Sequence, residues 1–132
     1  LEGTFYSSVN TTIPDAEKAV LGAFSRQGFG LVSRIDMGET LRAKVGLDIP
    51  GYLILGMCNP KLASQAVTVE PHIGVMLPCN VLLRETASGV EILAQDPRAL
   101  MALSKDRLLD APATEAAERI EAAMAEISAF FA

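Results

Sequence analysis

The chain has 132 residues, enough for one hydrophobic core and too few for two ordinary ones, so residues 4–132 are read as a single domain. Half of the residues are apolar and a fifth are charged, and 11 Lys and Arg against 16 Asp and Glu leave a net charge of -5. The cations are scattered singly and leave no surplus to neutralise phosphates, which argues against nucleic acid as a partner.

Thr4 to Val9 predicts a short strand. Thr12 then caps a helix whose Ala16, Ala19, Val20, Ala23 and Phe24 recur on one face, with Gly28 as its stop. Phe29 to Asp36 predicts a second strand, about Glu39 to Val45 a short helix ending at Gly46, and Leu47 to Gly51 a loop. Tyr52 to Cys58 has no polar alternation and predicts a strand covered on both faces, a candidate for the sheet centre. Asn59 as cap and Pro60 at the first helical position predict a helix over Lys61 to Val67 whose amino end lies against Cys58.

Glu70 to Gly74 is read as a loop leading to Val75 through Pro78. Cys79 to Glu85 and Val90 to Gln95 predict a hairpin around Thr86-Ala87-Ser88-Gly89. Asp96-Pro97 repeats the cap-plus-proline device and starts a helix to about Leu103. A last helix is predicted from about Ala113 to Phe131, with Ala113, Ala116, Ala117, Ile120, Met124, Ile127 and Phe131 on one side and Glu115 paired with Arg119 on the other. The predicted order is β-α-β-α-β-α-β-β-α-α. That order indicates an α+β domain, a mainly antiparallel sheet covered by helices, with a small open α/β sheet as the alternative. No apolar run approaches the roughly 18 residues of a membrane-spanning helix.

Chemistry concentrates in Gly56-Met57-Cys58-Asn59-Pro60 and Leu77-Pro78-Cys79-Asn80-Val81. A thiol at a helix amino end feels the partial positive charge of unpaired N–H groups, which favours thiolate. Cys58 is therefore a candidate nucleophile or soft-metal ligand, and equally a small buried hydrophobe closing a strand. Three readings of Cys58 and Cys79 stay open: independent buried thiols, a redox or disulfide pair, or two metal ligands with His72 as a third. Two thiolates and an imidazole would suit Zn or Cu(I), although neither a C-x-x-C nor an H-x-x-x-H spacing is present. G-x-S-x-G, G-x-x-x-x-G-K-[ST] and G-x-G-x-x-G are all missing, which argues against nucleotide hydrolysis and hydride transfer. Asp36 and Glu39 are most simply explained by helix capping.

Together Gly28-Phe29-Gly30, the run Tyr52 to Pro60, the segment Leu77 to Val81 and the strand before Asp96-Pro97 resemble the domain of unknown function 302 family over about Thr4 to Phe131. The resemblance implies a fold similar to the TATA-binding-protein-like class, a homodimer and a bacterial or archaeal source. It maps the family's Cys-Asn-Pro onto Cys58, Asn59 and Pro60, its Pro-Cys onto Pro78 and Cys79, and its intervening His onto His72. Some members are similar to neighbours of sulfur-handling genes. Leu47 to Gly51 is shorter than in some members.

The expected function is a small dimeric domain that binds a small molecule or soft metal near Cys58, Asn59, Pro60, His72, Pro78, Cys79 and Asn80. The alternatives are a sulfur-transfer or redox protein with Cys58 as attacking thiolate and Cys79 as resolving thiol, and an interaction module whose cysteines only pack. Two cysteines make the cytoplasm the default compartment. The periplasm is the alternative if a signal peptide was removed before Leu1.

Overall fold

The computed structural model describes residues 1–132. Strands β1 (Thr4–Val9), β2 (Gly30–Asp36), β3 (Tyr52–Cys58), β4 (Cys79–Thr86) and β5 (Gly89–Gln95) form one sheet in the order β1-β5-β4-β3-β2. Every neighbouring pair is antiparallel, which overturns the open α/β alternative and gives an α+β fold. Helices α1 (Ile13–Arg26), α2 (Met37–Val45), α3 (Pro60–Val69), α4 (Pro97–Met101) and α5 (Asp110–Phe130) connect and cover it, together with 3-10 segments at Pro71–Met76 and Arg107–Leu109.

Short polar side chains set where the helices begin. The Thr12 hydroxyl accepts from the Asp15 N–H, the Asn59 Oδ1 from Leu62 at 3.2 Å and the Asp96 Oδ1 from Arg98 at 2.9 Å. Asp36 caps α2 by accepting from the Glu39 N–H at 3.0 Å, so that helix starts at Met37, ahead of its predicted start. Glu70 does the same for the segment after α3, accepting from the His72 N–H at 2.9 Å, and what reads as a loop is a 3-10 turn.

The core lies between one face of the sheet and the helices. Leu53, Leu55 and Met57 of β3, Val81 and Leu83 of β4, and Val90, Ile92 and Ala94 of β5 all point inward. They meet Val20 and Phe24 of α1 and Ile120, Met124 and Ile127 of α5. A smaller cluster of Ala66, Ile73, Met101, Leu109 and Ala113 sits beside it.

The other sheet face carries no helix residue of the core, and the register lines up one residue from each strand across it. Ile35 lies opposite Ile54, Ile54 opposite Leu82, Leu82 opposite Leu93, and Leu93 opposite Tyr6. This row corrects the reading of β3 as a central strand covered on both faces. β3 is second from the edge, and its Tyr52 and Ile54 are only half-buried. The lack of polar alternation arises because the outward face is itself apolar.

Candidate functional site

The site begins where β3 and β4 end. Cys58 is the last residue of β3, and Asn59 turns the chain into α3. The Asn59 amide spends both of its functions on structure: Oδ1 caps α3, and Nδ2 donates to the Gln27 carbonyl at 3.4 Å, tying α3 to the turn after α1. Gly28 in that turn has φ +84, and a Cβ there would stand 3.0 Å from Asn59 Nδ2, so a side chain at this position is opposed by backbone and neighbour alike. On the adjoining strand end, the ring of Pro78 packs against Gly56, where a Cβ would come within 2.7 Å of Pro78 Cγ.

These strand ends, with α3, α4 and the first turns of α5, enclose a cavity. Sixteen residues line it, twelve of them hydrophobic, and among them are Cys58, Asn59, Pro78 and Cys79. Its water-accessible volume is about 50 Å³, which is room for about three to five waters, since one needs roughly 10–15 Å³. Phe29, Met57, Leu62 and Ala116 on one side belong to the main core, whereas Ala66, Met101, Leu109 and Ala113 belong to the smaller cluster. The cavity is thus the seam between two hydrophobic clusters. No Asp, Glu, Lys, Arg or His lines it.

The two thiols differ in setting. Cys79 is buried, 8% exposed, and burial pushes its thiol up to about 11, with the nearby Cys58 adding to the effect. Cys58 is half-buried. Both are free, and the register places Cys79 opposite Met57 and Cys58 opposite Gly30, so the disulfide pairing is not formed.

The metal triad is not assembled. The His72 side chain is 95% exposed on its 3-10 turn, with Nδ1 3.5 Å from Glu70 Oε1, and it does not line the cavity. No group of three His, Cys, Asp or Glu side chains is placed to hold a metal ion. Pro60 is exposed at the start of α3, and Asn80 is exposed on β4, its N–H donating to Gln95 Oε1 at 2.7 Å. The structure therefore gathers Cys58, Asn59, Pro78 and Cys79 at one cavity and leaves Pro60, His72 and Asn80 outside its lining. Sequence reasoning missed the far wall, formed by Met101, Leu109, Pro112 and Ala113. Its signal was the run of small residues in α5, which reads as plain core when the helix opposite is unknown.

The family model for the domain of unknown function DUF302 matches residues 5–127. A crystal structure of an uncharacterized conserved protein DUF302 from Bacillus stearothermophilus is similar at a TM-score of 0.87 and 23% identity, covering 96% of this chain and 98% of that one. That likeness is one of fold. No curated protein matches the chain.

Proposed function

Since the chain belongs to the DUF302 family, whose description carries no activity, we propose from the site itself that this domain binds a small, uncharged, apolar molecule in the cavity beside Cys58 and Cys79. The observation that carries the reading is the lining. It is predominantly apolar, without a charged side chain, and its one amide, Asn59, already gives Oδ1 to the Leu62 N–H and one N–H to the Gln27 carbonyl. A charged or strongly polar ligand would lose its hydration there without finding partners, whereas an apolar one gains by leaving water. Met57 and Met101 both line the cavity, so the methyl NMR signals of these two residues report on occupancy. Titration with a three-carbon alcohol is expected to shift both while leaving Met37, outside the cavity, unchanged. Equal shifts at all three methyls, or none, would refute specific binding.

Thiol chemistry at Cys58 is a second reading, supported by its half-buried position at the cavity, directly before the cap of α3. Cys79 is poorly suited to the role of resolving thiol, because its burial holds the proton through the neutral range. Alkylation of the native protein should then label Cys58 well before Cys79.

We further propose that the homodimer implied by the family resemblance uses the open sheet face. The row Ile35, Ile54, Leu82, Leu93 and Tyr6 offers a continuous apolar strip. Its charged neighbours cancel, since Arg84 pairs with Glu91 and Tyr6 Oη donates to the same carboxylate at 2.8 Å. On a chain of net charge -5, this neutral face is where a second copy meets least repulsion.

A further inference from the structure

Away from the cavity beside Cys58 and Cys79, we propose that the groove between α1 and α5 binds a free amino acid with an aromatic side chain. Its ammonium would meet Asp15, its carboxylate Lys18, and its ring Phe130 and Phe131. The water-accessible volume of this groove is about 390 Å³, within the roughly 300–1,000 Å³ of small-molecule sites. α1 lines it with Asp15, Lys18 and Arg26, and the end of α5 with Glu126, Phe130 and Phe131. Between its charged positions α1 offers only Ala19 and Gly22 to the groove, so the space there is left to a ligand.

The charges select a zwitterion. Arg26 and Glu126 satisfy one another across the two helices, Nε donating to the carboxylate oxygens at 3.0 and 2.9 Å. That leaves one carboxylate, Asp15, and one ammonium, Lys18, both exposed and in no ion pair with each other or with any neighbour. A purely anionic ligand would face Asp15 and a purely cationic one Lys18. The two stand at i, i+3 on one helix face, where Cβ atoms lie about 5–6 Å apart, so the two charges of one α-carbon can reach both. The aromatic preference comes from α5. Phe130 is 74% exposed, and its ring meets that of Phe131 edge to face, with centroids 4.9 Å apart. A third ring laid against this pair covers apolar surface otherwise left in water.

L-Tryptophan is the probe, since the chain contains no Trp and the indole fluorescence belongs to the ligand alone. Its anisotropy is expected to rise and saturate at one equivalent per chain. Tryptamine, which lacks the carboxylate, and N-acetyl-L-tryptophan, which lacks the ammonium, should each bind about three- to fivefold more weakly, the size of an exposed ion pair. Lys18→Gln should weaken tryptophan by the same factor without weakening tryptamine, and Asp15→Asn should weaken tryptophan without weakening the N-acetyl compound. Phe130→Ala should weaken all three about tenfold. Each of these side chains is exposed, so the variants keep the fold. No anisotropy change with L-tryptophan would overturn the site. Equal affinity for the three compounds would overturn the zwitterion, and undiminished binding to Lys18→Gln and Phe130→Ala would overturn the placement between α1 and α5.

Discussion

Cys79 ties stability to pH in a direction that follows from its burial. Its thiol titrates near 11 in the fold, against an ordinary value of 9.0. Between those limits the unfolded chain loses the proton and the folded chain keeps it, so the stabilisation is whole below pH 9 and is lost as pH rises toward 11. Urea unfolding of the wild type and of Cys79→Ala should therefore diverge in slope over pH 9–11, with the wild type losing on the order of 2–3 kcal/mol more. Parallel curves would show that the thiol is solvated. Asn59→Ala removes a cap and the tie to Gln27, and is expected to cost about 1–2 kcal/mol in the same assay. Asn59→Ser, which keeps a capping oxygen without setting a second acceptor against the Gln27 carbonyl, should cost less. Asn59 was legible in the sequence as a cap because capping is local. Its second bond, across 32 positions to Gln27, was not, and neither was the exposure of His72, which depends on which way a 3-10 turn faces.

Among the elements, α2 stands apart: of its nine residues only Gly38 is buried, and Val45 is largely exposed. α5 by contrast buries seven residues, including Ile120, Met124 and Ile127. Hydrogen exchange should find the α2 amides opening at a small fraction of the global unfolding free energy and those of α5 near all of it. Comparable protection in the two helices would mean that α2 is held by contacts absent from the single chain. The caps made most helices readable from sequence, and the i, i+4 pair Glu115–Arg119 forms at 3.0 Å as its spacing predicts. Reading β3 failed for a physical reason: an apolar run reports that neither face is polar, but not whether anything covers the second face.

At the scale of the molecule, the sheet has one face under helices and one bearing an apolar row that no single-strand pattern reveals. Ile35, Ile54, Leu82, Leu93 and Tyr6 are scattered through the sequence and become a strip only through the register of five strands. If the proposed dimer forms through this row, the wild type should scatter light as two copies and Leu82→Lys, at the middle of the row, as one, with the fold retained; a monomeric wild type would overturn the proposal. A dimer that survives the substitution would move the interface elsewhere. The cavity is likewise a property of the whole, a seam between two clusters that share helices, with Leu62 and Ala116 in one and Ala66 and Ala113 in the other. Apolar matter should enter this cavity, and crystals under xenon pressure test that most directly. A xenon atom is expected between α3 and α5, among the cavity residues Met57, Met101 and the alanines of both helices. A crystal whose xenon sites all lie elsewhere, with this seam closed, would contradict it.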